Sequence, residues 1–418
     1  MFPKLIKKII PQFLLNFYHY YLAAIGAFFY RFPSKKLIVI GVTGTSGKST
    51  VVELGSLILE TAGFKVASLS SLKFKIGDKE WENKLKMTMP GRMKIQRFLN
   101  QAVKANCKYV VLEVTSEGIK QFRHKFIDFN TAVFTNLSPE HVESHGSFEK
   151  YRAAKRELFK AAKKIHIINR DDENSDYFWE IPAERKIGFG IKNQESGIKN
   201  IKLEENYSSF VIHNSSFLIH LPGEFNIYNV LATIEIARSQ GVSLNICQRA
   251  LEKIKGIPGR MEIVIEKPFK VIIDYAHTPA ALEQVYKTLK NHKPQTENYK
   301  LICVLGACGG GRDKWKRPVL GEIAAQYCDK IIITNEDPYD EEPTEIINQV
   351  AGNTKAEKIL DRRESIRKAL SLANSGDTVI ITGKGSEPWM CLAKGKKIEW
   401  SDKKIALDFL KSSVKIKP

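Results

Sequence analysis

The sequence predicts an α/β protein: a central domain of P-loop type around a mostly parallel sheet, residues 37–257, and a Rossmann-like C-terminal domain, residues 258–418. Three observations carry this reading. Strand-length apolar runs alternate with helical ones on both sides of a Gly/Pro-rich hinge, Lys255-Gly256-Ile257-Pro258-Gly259, the pattern of parallel sheets covered by helices. The first strand runs into a glycine-rich turn that ends in Lys48-Ser49 at a helix start. Polar clusters then recur at strand ends, where ligands of open α/β sheets sit.

At 418 residues the chain is long enough for two or three full cores. The net charge of +19 suits an acidic partner, but the lysines are scattered. They read as general solubility and steering, and no aromatic-interleaved basic face points to nucleic acid. The six cysteines, Cys107, Cys247, Cys303, Cys308, Cys328 and Cys391, show no C-x-x-C. Neither a zinc ribbon nor a disulfide framework is expected, which suits a reducing cytoplasm.

Residues 1–36 stand apart. Lys4, Lys7 and Lys8 precede an aromatic-rich stretch from Phe13 to Phe32, and Arg31, Lys35 and Lys36 close it. A helix over about 14–30 is near the lower limit for spanning a bilayer. Its tyrosines and basic flanks fit a membrane interface, at the inner face for a cytoplasmic protein, and a helix packed on the next domain fits equally well.

The strand Leu37–Ile40 leads into Gly41-Val42-Thr43-Gly44-Thr45-Ser46-Gly47-Lys48-Ser49, and from Thr50 to Ala62 the apolar spacing turns helical. Such a turn aims backbone N–H groups and a helix N-terminus at one spot, where an anion is favoured. Lys48 adds a positive charge for phosphates, and the Ser49 hydroxyl a magnesium ligand. The strict P-loop spacing requires glycine where Val42 stands. The strands Tyr109–Leu112 and Thr131–Phe134 end in Glu113-Val114-Thr115-Ser116-Glu117 and in Thr135-Asn136-Leu137-Ser138-Pro139-Glu140-His141. Glu113 and His141 are hard or borderline ligands suited to a magnesium site bridging nucleotide phosphates. Phe148–Ala162 reads as a helix whose Lys155 lies beside the apolar face.

After the strand Ile165–Ile168, residues 169–220 read as a β-rich excursion, with short segments at Ser209–Ile212 and Phe217–Leu221. The next helix carries Asn226 and Asn229 three residues apart in its first turn. Beyond the hinge the strands Val271–Asp274, Leu301–Leu305, Lys330–Thr334 and Thr378–Thr382 alternate with the helices Pro279–Asn291, Pro318–Cys328, Pro343–Ala351 and Arg363–Ala373. Their ends carry Asp274-Tyr275-Ala276-His277, a triple glycine before Arg312, Asn335-Glu336-Asp337-Pro338-Tyr339, and Gly383-Lys384-Gly385-Ser386-Glu387. Flexible backbone followed by Arg312 suits close approach to a phosphate and a planar donor fork.

Together these segments resemble the Mur ligase family, the ATP-dependent amide-forming ligases of peptidoglycan precursor synthesis, and within it the muramyl-tripeptide synthetases. The likeness runs over about residues 37–395. It stands on GVTGTSGKST, LEVTSEG, FTNLSPEHVESHG, YRAAKRELF, LPGEFNIYNVLAT, GIPGRMEIV, IDYAHTPAALE, GACGGGRDKWKRP, TNEDPYDEEP, DRRESIRKAL and ITGKGSE, which follow in the family's order.

The resemblance implies an enzyme whose cofactors are ATP and Mg2+. Gly44, Thr45, Ser46, Gly47, Lys48, Ser49 and Thr50 would cradle the phosphates and a first magnesium, and Glu113 and His141 a second. Lys155 matches a lysine that is carbamylated in most of the family, so it would join the metal set. Asn136, Asn226 and Asn229 would stand on the nucleotide, the last two at its adenine side. Arg260, Asp274, Tyr275, His277 and Arg312 would complete the site from the C-terminal domain. Thr88, Thr115, Ser116, Asp337, Pro338, Gly383 and Glu387 would face the muramoyl-peptide acceptor and the incoming amino acid. An acceptor carboxylate would attack the γ-phosphoryl group, with magnesium and Lys48 offsetting the repulsion between anions. Closure would exclude water until an amine took the acyl phosphate.

Four departures qualify this. Relatives carry an N-terminal domain for the UDP-linked substrate, and residues 1–36 are too short for one; uridine recognition would be lost, placed elsewhere, or replaced by a lipid-linked acceptor. Glu117 and Ser386 stand where histidines are usual. Met87-Thr88-Met89-Pro90 keeps only part of a Thr-Thr-Pro segment. Glu336-Asp337-Pro338-Tyr339 replaces the Asp-Asn-Pro-Arg of diaminopimelate-adding members, and the acidic run Asp340, Glu341, Glu342 would favour a cationic diamino acid such as lysine or ornithine. The competing readings are a folylpolyglutamate synthase-like or polyamino-acid ligase, and a nucleotide-binding scaffold without catalysis.

Overall fold

A computed structural model describes residues 11–85, 87–193, 197–291 and 299–414; Lys4, Lys7 and Lys8 lie outside them. Helix α1 (Gln12–Phe29) precedes a first α/β unit. In chain order this contains β1 (Ile38–Thr43), α2 (Lys48–Thr61), β2 (Val66–Leu69), β3 (Lys73–Ile76), β4 (Lys79–Glu82), α3 (Arg92–Lys104) and β5 (Tyr109–Glu113). It continues through α4 (Ser116–Lys120), β6 (Phe129–Phe134), α5 (Val142–His145), α6 (Phe148–Ala161), β7 (Ile165–Asn169), α7 (Ser175–Trp179) and β8 (Arg185–Phe189). The strands form one sheet in the order β4-β3-β2-β5-β1-β6-β7-β8, parallel apart from the β2-β3-β4 pairings. The excursion is a three-stranded antiparallel sheet, β9 (Ile198–Leu203), β10 (Ser208–Ile212) and β11 (Ser215–Ile219), followed by α8 (Glu224–Ser239) and α9 (Leu244–Leu251).

After the hinge come β12 (Glu262–Ile265), β13 (Lys270–Ile273), α10 (Pro279–Asn291), β14 (Leu301–Leu305), α11 (Lys316–Tyr327), β15 (Lys330–Ile333) and α12 (Pro343–Ala351). They are followed by β16 (Glu357–Lys358), α13 (Arg362–Leu372), β17 (Thr378–Ile381), the ribbon of β18 (Trp389–Cys391) and β19 (Lys397–Glu399), and α14 (Asp402–Val414). The second sheet runs β12-β13-β17-β14-β15-β16, and only β12 is antiparallel.

Why both faces of each sheet are covered follows from strand parity. In β1, Ile40 and Val42 enter one core and Val39 the opposite one. In the second sheet Cys303 and Leu305 face one way, Ile302 and Val304 the other. Near-continuous apolar strands of this kind require helices on both sides. β1 lies between β5 and β6, so the turn after it opens into a crevice at the carboxyl edge of the sheet.

One expectation changes here, and one pair of alternatives is partly resolved. Cys303 and Cys328 form a disulfide, with Cα atoms 6.1 Å apart. The strand β14 and the return after α11 bring them together across 25 residues, a spacing that carries no motif. Helix α1 realises the packed placement on one face, where Ala23 and Ala27 are buried, and leaves its aromatic face exposed. Among the described residues no helix is long and apolar enough to cross a membrane.

Candidate active site between the two sheets

A cleft of about 850 Å³ lies between the carboxyl edges of the two sheets, and every residue expected in the site lines it except Pro338. Its floor is the turn after β1. Gly44 and Gly47 have positive φ, and a Cβ would stand 1.9 Å from Thr135 Oγ1 at the first and 2.1 Å from Asn229 Oδ1 at the second. Only glycine fits both the torsion and the space. Asn136 holds the turn, accepting from the Thr45 N–H through its carbonyl at 2.8 Å and from the Ser46 N–H through Oδ1 at 2.9 Å. Helix α2 begins here without a side-chain cap and with no acid in its first turn. Its free N–H groups and dipole face the cleft at Thr50, Ser49 and Lys48, a ready anion site.

Lys48 Nζ donates to the Thr45 carbonyl at 2.8 Å and lies 4.0 Å from Glu113 Oε1. Burial lowers its pKa, Glu113 opposes that, and Arg260 adds to it. Ser49 Oγ donates to Glu113 Oε2 at 2.7 Å, and the same oxygen accepts from the Ser71 N–H at 2.9 Å. A hydroxyl and a carboxylate at this spacing suit a hard cation such as Mg2+. Ser71, which also contacts the Ser49 hydroxyl at 2.8 Å, escaped the sequence reading; it stands in a plain serine run after β2.

Lys155 is fully buried and donates to the Gly44 carbonyl at 2.6 Å. Burial first, then the nearby Lys48, pushes its pKa well below the ordinary lysine value. The direction of that shift favours the uncharged amine, because both burial and a neighbouring cation oppose the ammonium. His141 is likewise neutral: burial, then Arg312, pushes its pKa down to about 2, and Arg312 Nη1 meets its Nδ1 at 3.3 Å. Among the described residues no three His, Cys, Asp or Glu side chains gather as a metal cluster. A second metal on Glu113 and His141 would thus need Lys155, converted to a carbamate, as the third protein ligand.

The amides of Asn226 and Asn229 are turned to each other, Nδ2 of Asn229 donating to Oδ1 of Asn226 at 3.2 Å, while Asn226 Nδ2 donates to the Pro222 carbonyl at 2.8 Å. Asn229 also abuts Gly47 and so braces the phosphate turn, and both asparagines line the cleft.

From the other lobe, the Arg260 guanidinium stacks 4.3 Å over the Tyr275 ring, and Tyr275 donates to Glu387 Oε1 at 3.0 Å. Asp274 accepts from the Met261 and Ala276 N–H groups at 2.7 and 2.6 Å and so shapes this loop. His277 donates from Nδ1 to the Tyr275 carbonyl at 2.8 Å, and burial keeps it neutral. The lobes are clasped beside Arg312. Asp313 accepts from the Val142 and Glu143 N–H groups at 3.2 and 2.9 Å, and Lys316 Nζ pairs with Glu140 Oε1 at 2.8 Å. Sequence reasoning passed over this clasp, although PEHVE and GRDKWK carry its complementary charges.

At the acceptor end Thr88 and Ser116 face the cleft, whereas Thr115 Oγ1 caps α4 by accepting from the Gly118 N–H at 3.1 Å. Glu117 lies 3.4 Å from His145 Nε2. At the opposite end Asp337 accepts from Lys384 Nζ at 3.0 Å and the Cys391 N–H at 2.8 Å, and Glu387 Oε2 from Lys384 at 2.8 Å. Pro338 turns away from the cleft, and Tyr339 takes its place. The acidic run is also removed from the cleft: Asp340 accepts from the Lys394 N–H at 2.8 Å, Glu341 pairs with Arg317 at 2.9 Å, and Glu342 caps α12. Glu336, which the sequence reading did not single out, lines the cleft beside Asp337 and Glu387. Its Oε1 accepts from Cys308 Sγ at 3.1 Å, and its buried Oε2 has no hydrogen-bond partner among the described residues. Gly383 lies against that oxygen, 1.9 Å from where a Cβ would stand.

Comparison with known proteins gives this cleft a setting. Residues 42–237 match the Mur ligase middle domain, and residues 259–385 the domain described as Mur ligase, glutamate ligase domain. The chain is 39% identical over 410 residues to the UDP-N-acetylmuramoyl-L-alanyl-D-glutamate--2,6-diaminopimelate ligase of Syntrophomonas wolfei subsp. wolfei, covering 94% of this chain and 82% of that one. It is 34% identical over 397 residues to a UDP-N-acetylmuramyl-tripeptide synthetase of a Roseiflexus species, covering 88% and 77%. A solved UDP-N-acetylmuramoyl-L-alanyl-D-glutamate--2,6-diaminopimelate ligase superposes with a TM-score of 0.61 at 29% identity over 90% of this chain and 79% of that one. A folylpolyglutamate synthase of Mycobacterium tuberculosis shares the fold, with a TM-score of 0.70 at 16% identity over 87% and 92%. With its phosphate turn and both matched domains in place, the chain belongs to the Mur ligase family.

Proposed function

We propose that this chain is an ATP-dependent ligase that joins a diamino acid to the peptide carboxylate of a muramoyl-peptide precursor, of the UDP-MurNAc-dipeptide type, in the cytoplasm. The observation that carries it is the convergence, in one cleft, of an uncapped helix N-terminus with Lys48 and the Ser49–Glu113 pair from one lobe and with Arg260, His277 and Arg312 from the other.

The residues assign themselves by charge. The α2 N-terminus and Lys48 bind the phosphates, and Ser49 with Glu113 would hold Mg2+, which on binding supplies Lewis-acid neutralisation of phosphate charge. Lys155, whose ammonium form burial disfavours, would on taking up CO2 with release of a proton become a carbamate that could join Glu113 and His141 in holding a second Mg2+. Arg312 would offset the charge that builds as the acceptor carboxylate bonds to the γ-phosphorus and the bond to the β-phosphate oxygen breaks, releasing ADP. The acyl phosphate so formed is exposed to hydrolysis, and the clasp of Lys316 on Glu140 keeps water out while an amine attacks and phosphate leaves.

Glu336, Asp337 and Glu387 gather around Lys384 at the far end, and the buried Oε2 of Glu336 has no hydrogen-bond partner among the described residues. That net negative end, with Tyr339 in place of a carboxylate-pairing arginine, favours the distal ammonium of lysine or ornithine over the extra carboxylate of diaminopimelate.

The test is phosphate release with ATP, UDP-MurNAc-dipeptide and a panel of amino acids. Turnover is expected with a diamino acid and should fall by about three orders of magnitude in Lys48→Ala. Absence of turnover with every muramoyl acceptor would overturn the assignment.

A further inference from the structure

Helix α1 carries a row of large apolar side chains that the rest of the described fold leaves uncovered. Phe13, Phe17, Tyr21, Ile25, Phe28 and Phe29 recur at helical spacing and are 48 to 76% exposed, along a helix about 27 Å long. The opposite face is fixed. Ala23, Gly26 and Ala27 are buried, a Cβ on Gly26 would stand 3.0 Å from Met93 Sδ of α3, and Tyr20 packs edge-on against Phe122 and Phe126. An outward aromatic row on a rigidly seated helix is a surface built to be covered.

Charge identifies the occupant. Exposed Arg31, Lys35 and Lys36 follow the helix, Lys4, Lys7 and Lys8 precede it in sequence, and no Asp or Glu stands before Glu53. A second copy laid against this row would oppose cations to cations at both ends. An anionic lipid surface opposes them with headgroup phosphates and takes tyrosine and phenylalanine at its interface. The seating also has a direction. α1 rests on α3 and on segment 119–126, joined by Arg92 Nε donating to the Gln121 carbonyl at 2.8 Å, and Met87, Thr88, Gln121 and Arg123 of these neighbouring segments line the cleft.

We propose that α1 lies in the headgroup layer of an anionic membrane and holds the acceptor end of the cleft beside the bilayer. The membrane contact is independent of the ligase reading; only the identity of that end of the cleft as the acceptor end rests on it.

The experiment is flotation of the full chain with phosphatidylcholine vesicles, with and without phosphatidylglycerol, which needs neither nucleotide nor acceptor. Flotation is expected only with phosphatidylglycerol and should weaken as salt rises. Replacing Arg31, Lys35 and Lys36 together with glutamine should lower partitioning on the order of 100-fold. The pair Phe17→Ser and Phe28→Ser should lower it by about tenfold or more, and ADP release with the soluble acceptor should be unchanged in both variants. Equal recovery with and without phosphatidylglycerol would overturn the proposal. So would a concentration-dependent dimer that the phenylalanine variant abolishes, because a second copy would then be what covers the row.

Discussion

Replacing Glu140 with glutamine tests whether the lobes are held by charge. Its carboxylate and the Lys316 ammonium lie 2.8 Å apart with side chains 4 and 5% exposed, so neither is hydrated in the clasped state. Burial holds the Glu140 pKa above its ordinary value, against the pull of Lys316. Removing one partner of such a pair leaves the other as an uncompensated buried charge, a penalty of about 3–5 kcal/mol. The chain has an escape short of unfolding: rotation at residues 255–259 returns Lys316 to water. The expected outcome is a shift of the lobe equilibrium toward open by roughly a few hundred- to a few thousand-fold. X-ray scattering of the free chain would show a larger radius of gyration, and kcat/KM would drop, while thermal unfolding of each lobe changes little. Adding Lys316→Met to Glu140→Gln removes the stranded charge and should recover much of the compact form. A Glu140→Gln chain with the wild-type radius and kcat/KM would refute the reasoning, since the pair would then contribute nothing to closure.

Other outcomes follow from the same geometry. Glu336→Gln should lower kcat/KM for lysine about tenfold more than for a neutral amino acid, because a charge-assisted contact is worth about 1.5–3 kcal/mol; an equal loss for both would refute it. Arg362 and Asp402 are fully buried and paired at 2.7 Å, so Arg362→Met should destabilise the C-terminal domain by about 3–5 kcal/mol in urea melts. His124 is buried, and burial pushes its pKa down to about 4. Below the unfolded value of about 6.5 the unfolded chain binds a proton that the folded chain refuses, so stability is full above that pH and is lost as pH falls toward 4. From pH 7.5 to 5 the loss should be about 2 kcal/mol from this residue, and a His124→Phe chain should lack it.

The parts of the fold that could be read in advance are those where one local rule has one outcome. β-branched runs became parallel strands, and the turn after β1, with its glycines and Lys-Ser pair, became an uncapped helix start at the floor of the cleft. Lys155 shows the opposite case. On its own helix it is an ordinary lysine, and its chemistry comes from Gly44 and Lys48, more than a hundred residues earlier, which burial alone brings to it. The acidic run 340–342 misled because charge in sequence says nothing of where each side chain is spent; Arg317 and the start of α12 claim two of the three. Glu336 was obscured for the same reason, since its open oxygen is visible only once Cys308 and Gly383 are in place.

The bare backbone at 383 has a bearing on anyone wishing to retune which amine is taken. A library randomised there would meet a steric limit at once, since even a methyl group would collide with the Glu336 carboxylate. Tyr339 and Cys308 border the same chamber with side chains that can be exchanged, so diversity introduced at those two sites is where altered selectivity should first emerge.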